Sequence, residues 1–352
     1  MRAYLYLFSL LFLAACAQEG GSNGSTSKDE LIRFKGKTMG STYAVTYSDS
    51  AGRNLQSEVE RLLADFNAAL STYDSTSRLS QFNRSAQLTI STKERYLLDC
   101  IEQAQEYHRI TNGAFNPALK PLVNYWGFGY KEKRPIDKAD PRVVDSLLAF
   151  SKFEYLELYY SDAGDSVLLY KKDPRLQIEF NAMAPGYAAD LIGALLEEKG
   201  ITNYLVDVGG EILAKGSTAK GAPWRVGINV PQEGAATNSL QATVELQNQA
   251  LATSGNYRSF YESGGKKYVH TINPRTGYTE QNDLLSVSIF APSAALADAL
   301  ATACMAQGKI GAESLINRLH EQYNVSAYFI FVDPAGQVQE LWLGAAKNYF
   351  VD

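Results

Sequence analysis

Along residues 55–70 the apolar side chains Leu55, Val59, Leu62, Leu63, Phe66 and Leu70 recur every three or four positions, which predicts an amphipathic helix with one buried face. Tyr96, Leu97, Cys100, Ile101, Ala104 and Tyr107 repeat that spacing, and Asn112-Gly113 closes this second helix. Ser41 to Tyr47 alternates with period two, as a half-buried strand does. Between Glu154 and Phe180 two or three strands are expected, turning at Asp162-Ala163-Gly164 and at Lys172-Asp173-Pro174. A helix from Gly186 to Lys199 stops at Gly200, and strands return from Tyr204 to Val230. The remainder mixes both types, with strands near 239–246, 267–272, 284–291 and 326–332 and helices over about 294–307 and 311–323. Antiparallel strands interspersed with helices, without a strict βαβ rhythm or an internal repeat, predict an α+β body.

The N-terminus breaks this pattern. Residues 1–15 carry one charge, Arg2, then an apolar run from Leu5 to Leu13 and small residues before Cys16, the layout of a secretory signal. The run is too short to cross a bilayer, which takes roughly 18–20 apolar residues. Leu13-Ala14-Ala15-Cys16 resembles the lipobox of bacterial lipoproteins, in which cleavage leaves the cysteine as a lipidated N-terminus. Residues 17–29 are polar and rich in Gly and Ser, a flexible coil reaching roughly 20 Å. The plan is therefore a signal over 1–15, a lipidated Cys16 with a tether over 16–30, and a body over 31–352. The lipobox resemblance implies a place in the bacterial cell envelope, lipid-anchored to a membrane and facing the periplasm; an ordinary cleaved signal with an incidental cysteine is the alternative.

Loss of Arg2 with the signal takes the net charge from −5 to −6, and the chain has no dense Lys/Arg stripe. Nucleic acid, whose binding rests on neutralising phosphates, is thereby disfavoured as a partner. An apolar content of 45% over 352 residues supports a large core in one elaborate domain or two lobes. Cys100 and Cys304 both fall on apolar helix faces, which predicts two separate buried thiols rather than a disulfide.

Three features carry chemistry. Asp298 and Thr302 stand at i and i+4 on a helix otherwise made of Ala, Leu, Cys and Met, so a half-buried carboxylate and a hydroxyl share one face. That pair suits a cation that prefers oxygen and borrows phosphate oxygens from a substrate; a solvated or hydrogen-bonded aspartate is the alternative on these residues alone. His270 follows the strand Lys267-Tyr268-Val269 and precedes Asn273-Pro274-Arg275-Thr276-Gly277, a strand-fed loop where a base of near-neutral pKa is well placed. His108 and His320 lie on helices and read as partly exposed surface groups. Finally, Phe180 to Tyr187 joins a strand to a helix through small residues and aims helix amides at an anion, while Val208-Gly209-Gly210-Glu211 lies between two strands. Tight packing is the other reading of both joints.

Taken together the motifs are recognisable. In order they are Thr38-Met39-Gly40-Ser41-Thr42-Tyr43; Ser71-Thr72-Tyr73 with Ser80-Gln81-Phe82-Asn83; Ala114-Phe115-Asn116-Pro117 with Trp126-Gly127-Phe128-Gly129; Ala182-Met183-Ala184-Pro185-Gly186-Tyr187; Val208 to Glu211; Ala252-Thr253-Ser254-Gly255; His270 with Asn273 to Gly277; and Ala297-Asp298-Ala299. From Phe34 to Gly308 the chain resembles the ApbE family, the FAD:protein FMN transferases, many of which begin with a lipoprotein signal.

The resemblance implies an α+β body of two lobes with largely antiparallel sheets and the site between them. It implies Mg2+ held by Asp298, Thr302 and the main-chain carbonyl of Ala182. It sets FAD, as substrate, against Met39, Tyr73, Ala114, Phe115, Asn116, Pro185 and His270, with His270 as the catalytic base. In the implied reaction a threonine or serine hydroxyl of a partner protein attacks the FMN-side phosphorus of FAD, giving an FMN phosphoester and AMP. The partner is an exported or membrane redox protein carrying a flavinylation motif, since that motif is not found in this chain. Pro185 stands where many members have lysine, and Asn116 where aspartate is common. A magnesium-dependent FAD pyrophosphatase and a non-catalytic FAD-storage lipoprotein are the alternatives.

Overall fold

The computed structural model describes residues 30–129, 136, 139–232, 234, 239–256, 260–263, 266–279 and 282–351. The signal, Cys16 and the tether up to residue 29 lie outside the described residues. Along the chain run β1 (Glu30–Thr38), β2 (Ser41–Asp49), α1 (Gln56–Leu70), α2 (Arg78–Arg84), β3 (Gln87–Ser91) and α3 (Arg95–Ile110). Next come α4 (Lys120–Tyr125), α5 (Pro141–Leu148), β4 (Leu156–Tyr160), β5 (Ser166–Lys171) and α6 (Ala184–Glu198). They are followed by β6 (Tyr204–Val208), β7 (Glu211–Lys215), β8 (Trp224–Asn229), β9 (Leu240–Leu246), β10 (Gln249–Gly255), β11 (Phe260–Ser263) and β12 (Lys266–Val269). The last are β13 (Leu284–Ala291), α7 (Ala294–Tyr323), β14 (Ser326–Val332), β15 (Val338–Leu343) and β16 (Phe350–Val351).

The principal sheet has eight strands in the order β1-β2-β6-β7-β10-β13-β14-β15, and each pairing is antiparallel. Helices α6 and α7 lie on one face, and α1 and α3 pack over them. The small sheet β16-β9-β8 covers part of the other face around Ile212, Trp224, Leu251, Phe290 and Tyr328. Sandwiched in this way, α7 is buried all round through its first three turns, where only Thr302 is partly exposed. A smaller unit built from α4, α5 and the β11–β12 hairpin has its own cluster of Leu122, Trp126, Val144 and Ile272. The α+β, largely antiparallel body in two unequal lobes is thus as expected.

Differences from the sequence reading have local causes. The segment after β5 makes no third strand: Leu176 to Phe180 is held by the Asn83 carboxamide, which donates to the Ile178 carbonyl and accepts from its amide, both at 2.8 Å. One side chain replaces a neighbouring strand there. The helices expected over 294–307 and 311–323 join at Gly308, whose φ of 70° breaks the hydrogen-bond ladder. Asn282 donates to the Met305 carbonyl at 2.6 Å and Asp283 accepts from the Lys309 amide at 3.0 Å, satisfying the groups freed at the kink. β10 escapes the pattern because Ala250, Ala252 and Ser254 are small and only weakly strand-forming; pairing with β7 and β13 decides it. Cys100 and Cys304 are buried free thiols, as the sequence predicts.

The start of the sheet is tied to the end of α6 through Asp49. Its carboxylate accepts from Arg53 Nε and Nη2 at 2.9 Å each and from the Arg53 amide at 2.8 Å, and Arg53 Nη2 also reaches the Lys199 carbonyl at 2.9 Å. The Arg53 guanidinium, with the Arg53 and Ala51 amides, holds the Asp49 carboxyl well below the usual carboxylate range. A depressed carboxyl stabilises the fold above its unfolded pKa of about 3.9 and ceases to do so as pH falls further. Urea midpoints should therefore show Asp49→Asn less stable than the parent at pH 6, with the gap closing progressively below about pH 4. A gap unchanged at pH 3 would contradict this role.

Candidate active site

Two helix N-termini meet at the centre of the molecule and cap each other. At the start of α6, Met183 and Ala184 donate to the Phe180 carbonyl at 2.9 and 2.7 Å, and Pro185 occupies the first turn, where no amide hydrogen is required. Gly186, the next residue, lies so close to α7 that a Cβ there would sit 2.3 Å from the Ala294 carbonyl oxygen. Across this contact the Gly186 amide donates to Asp298 Oδ2 at 3.3 Å. In return Asp190 on α6 accepts from the Ala294 and Ala295 amides at 2.7 and 2.9 Å. Each carboxylate thus faces the positive end of the other helix.

The two acids are not equally satisfied. Asp190 holds two short amide bonds, and burial, opposed by those bonds, pushes it up to about 6. Asp298 is buried, not half-buried as the sequence suggested, and receives one long bond. Burial raises its pKa, and the nearby Asp190 charge raises it further. A buried carboxylate in this state lacks compensation from the protein alone.

Asp298 opens onto a cavity of about 410 Å³. Thr302 and Ala306 follow it on the same face of α7, and Ala182 lines the wall just before α6. Ala114, Phe115 and Asn116 come from the loop after α3, where left-handed Asn112 and Gly113 turn the chain. His270 enters at the end of β12 with its ring edge-on to Phe128, 6.4 Å between centroids. Its loop is anchored by Trp126 Nε1, which donates to the Gly277 carbonyl at 2.8 Å, and by the Gly277 amide, which donates to the Asn273 carbonyl at 2.8 Å. The fold therefore gathers Ala114, Phe115, Asn116, Ala182, His270, Asp298 and Thr302 on one cavity. Met39, Tyr73 and Pro185 lie outside its lining; Tyr73 is 69% exposed, and Met39 adopts φ 49° in the β1–β2 turn.

Some supporting groups do work that the sequence does not announce. Asn116 Nδ2 donates to the Ser151 carbonyl at 3.0 Å, while its oxygen caps the following turn at the Ala118 amide, 2.9 Å away. An aspartate has no donor for the first bond. His108 is partly exposed, as the sequence suggests, and its Nδ1 lies 2.8 Å from the Phe115 carbonyl. His320 likewise bonds the Val325 carbonyl, at 2.6 Å. Glu179 and Glu211 also line the cavity, and the sequence reading assigned a site role to neither. Glu179 is pushed up by burial and drawn back by the buried Lys120, whose ammonium is 4.0 Å away. A carboxylate between apolar Ile178 and Phe180, five residues before α6 begins, is the signal that marks it.

Asp298, Glu179 and Glu211 all line the cavity, and carboxylates there oppose a polyanion unless a cation accompanies it. Among the described residues no group of three or more His, Cys, Asp or Glu is arranged to hold a metal. One buried carboxylate, one hydroxyl and one carbonyl, completed by substrate oxygens, form a donor set that fits magnesium.

The sequence pattern of the ApbE family matches residues 39–329. Among curated relatives, the FAD:protein FMN transferase of Haemophilus influenzae is 32% identical over 326 residues, covering 91% of this chain and 89% of the relative. That of Vibrio cholerae is 35% identical over 317 residues, covering 88% and 89%. Among solved structures, the flavin transferase ApbE from Vibrio cholerae is similar with a TM-score of 0.77 at 31% identity, over 91% of this chain and 99% of that one. The apo flavinyl transferase ApbE from Pseudomonas stutzeri gives 0.78 at 31% identity, over 92% and 97%.

Proposed function

The chain belongs to the ApbE family, and on that premise we propose that it transfers FMN from FAD to a threonine or serine hydroxyl of a partner protein. The observation that carries this reading is the cavity itself, which sets His270 and the Asp298–Thr302 face around one space. The acceptor oxygen bonds to the FMN-side phosphorus, the bond to the bridging oxygen breaks, and AMP leaves with that oxygen. His270 accepts the hydroxyl proton, a task suited to an imidazole. Asp298, Thr302 and the Ala182 carbonyl are the proposed magnesium ligands; the ion neutralises diphosphate charge when bound. Ala114, Phe115 and Asn116 of the cavity lining are the proposed FAD contacts, together with Met39, Tyr73 and Pro185.

The lipid anchor at Cys16 belongs to the same proposal. Among the described residues no helix is long and apolar enough to cross a membrane. Attachment through Cys16 and the tether places the enzyme in the periplasm beside its acceptor, an exported or membrane redox protein with a flavinylation motif.

The decisive experiment mixes the chain with FAD, magnesium and such an acceptor, then views a denaturing gel under ultraviolet light. A fluorescent acceptor band is expected; free FMN without a band would indicate hydrolysis, and intact FAD would indicate storage. His270→Ala should lower transfer by roughly a hundredfold or more, the scale of general-base catalysis, while FAD affinity changes little. Full activity in that variant would remove the proposed base.

A further inference from the structure

We propose that the outer face of β1 docks on the anionic phospholipid headgroups of the membrane that holds the Cys16 anchor, an inference that rests on the anchor reading above. β1 is an edge strand of the eight-stranded sheet. Phe34 and Thr38 turn into the body, whereas Leu31, Arg33, Lys35 and Lys37 are exposed on the opposite side. The strand period places the three cations on one face at intervals of about 7 Å. Their cross-strand partners are Thr46, Ala44 and Thr42, all neutral. None of the three cations has an ion pair or ring contact among the described residues. On this face the next carboxylate in register is Asp207, opposite Ala44, and its Oδ1 is occupied by the Gly210 amide at 2.9 Å.

Charged side chains, lysine especially, protect sheet edges, and by that reason alone both edges of the sheet would carry them. The opposite edge strand, β15, carries Glu340 and neither Lys nor Arg. Positive charge is instead concentrated on the edge that the tether enters, in a chain whose formal net charge is −5. An acidic body approaches an anionic surface through such a face, and attraction acts within a Debye length of about 8–10 Å. The flexible tether expected over residues 16–30, with a reach of roughly 20 Å, allows β1 to come up to the headgroups. The nine residues of β1 extend about 30 Å from the tether to the Met39–Gly40 turn. Docking along this face lays the body on the bilayer and brings that turn towards acceptors held in the same membrane.

The test separates the face from the anchor. The chain from residue 16 onward, made without lipid as Cys16→Ser, is sedimented with phosphatidylcholine vesicles or with vesicles containing about one-third phosphatidylglycerol. Binding is expected only with phosphatidylglycerol, to be lost near 0.5 M salt as charges are screened. Replacing Arg33, Lys35 and Lys37 together by Gln should weaken it roughly tenfold or more while FMN transfer to a soluble acceptor peptide is kept. In the lipidated chain, Lys35 and Lys37 should be shielded from an amine-reactive label by phosphatidylglycerol vesicles and not by phosphatidylcholine. Equal sedimentation of parent and triple variant, or no binding to either vesicle, overturns the proposal. So does unchanged vesicle binding combined with loss of transfer to a full-length acceptor, which would assign the cations to that protein. Detergent-phase partitioning of chain from cells reports the Cys16 lipid separately, and its absence leaves the vesicle result to stand.

Discussion

Replacing Asp298 by Asn is expected to reduce FMN transfer by roughly a hundredfold or more while leaving the folded protein as stable as the parent, or more so. The change keeps the size of the side chain and an oxygen that can accept the Gly186 amide, which lies 3.3 Å from Oδ2. What it removes is a negative charge that is buried, under-bonded and repelled by Asp190. For the ligand-free protein that charge is a cost, so its loss does not weaken folding. In catalysis the same charge is the strongest of the proposed cation ligands, and such stabilisation of a diphosphate is worth several kcal/mol. Transfer assayed over a range of magnesium concentrations, alongside urea midpoints without magnesium, separates the two effects. Parent-like transfer at low magnesium would remove Asp298 from the site. A large fall in stability with only a matching fall in transfer would make it a structural cap alone.

Gly186→Ala should destabilise the folded chain by about 1–3 kcal/mol or more. An added Cβ would lie 2.3 Å from the Ala294 oxygen, 2.6 Å from the Ala294 carbon and 2.8 Å from the Ala295 nitrogen. These are backbone atoms at the start of α7, so no side-chain rotation relieves the clash, and α6 must move away from α7. Such movement draws the Gly186 amide from Asp298 and the Asp190 carboxylate from the Ala294 and Ala295 amides. Transfer should therefore fall further than the loss of folded protein explains. Gly200→Ala is the control: a Cβ there meets nothing within 4 Å, and only its φ of 80° opposes the change. Equal urea midpoints for the two variants would show that the close helix contact carries no special weight.

Both experiments address an arrangement that was only partly legible in the sequence. The spacing of Asp298 and Thr302 on a helix could be read directly, because i and i+4 share a face in any α-helix. The place of His270 after a strand and before a turn could be read in the same way. Asp190 gave no local signal, since it acts on amides about a hundred residues away. Glu179 and Lys120 meet only when the loop before α6 closes on α4. Asn83, beside Ile178 in place of a strand, belongs to the same class of long-range contact.

By itself the sequence determined the α+β class, most of the helices, the shared helix face of Asp298 and Thr302 and the family resemblance, because periodicity and motif order depend on residues near one another in the chain. Tertiary structure alone decided which acid is satisfied and which is left facing the cavity, since that turns on how two helix ends meet. Charge compensation inside a protein depends on distances across the fold, and these arise only when Gly186 lets α6 and α7 come into contact.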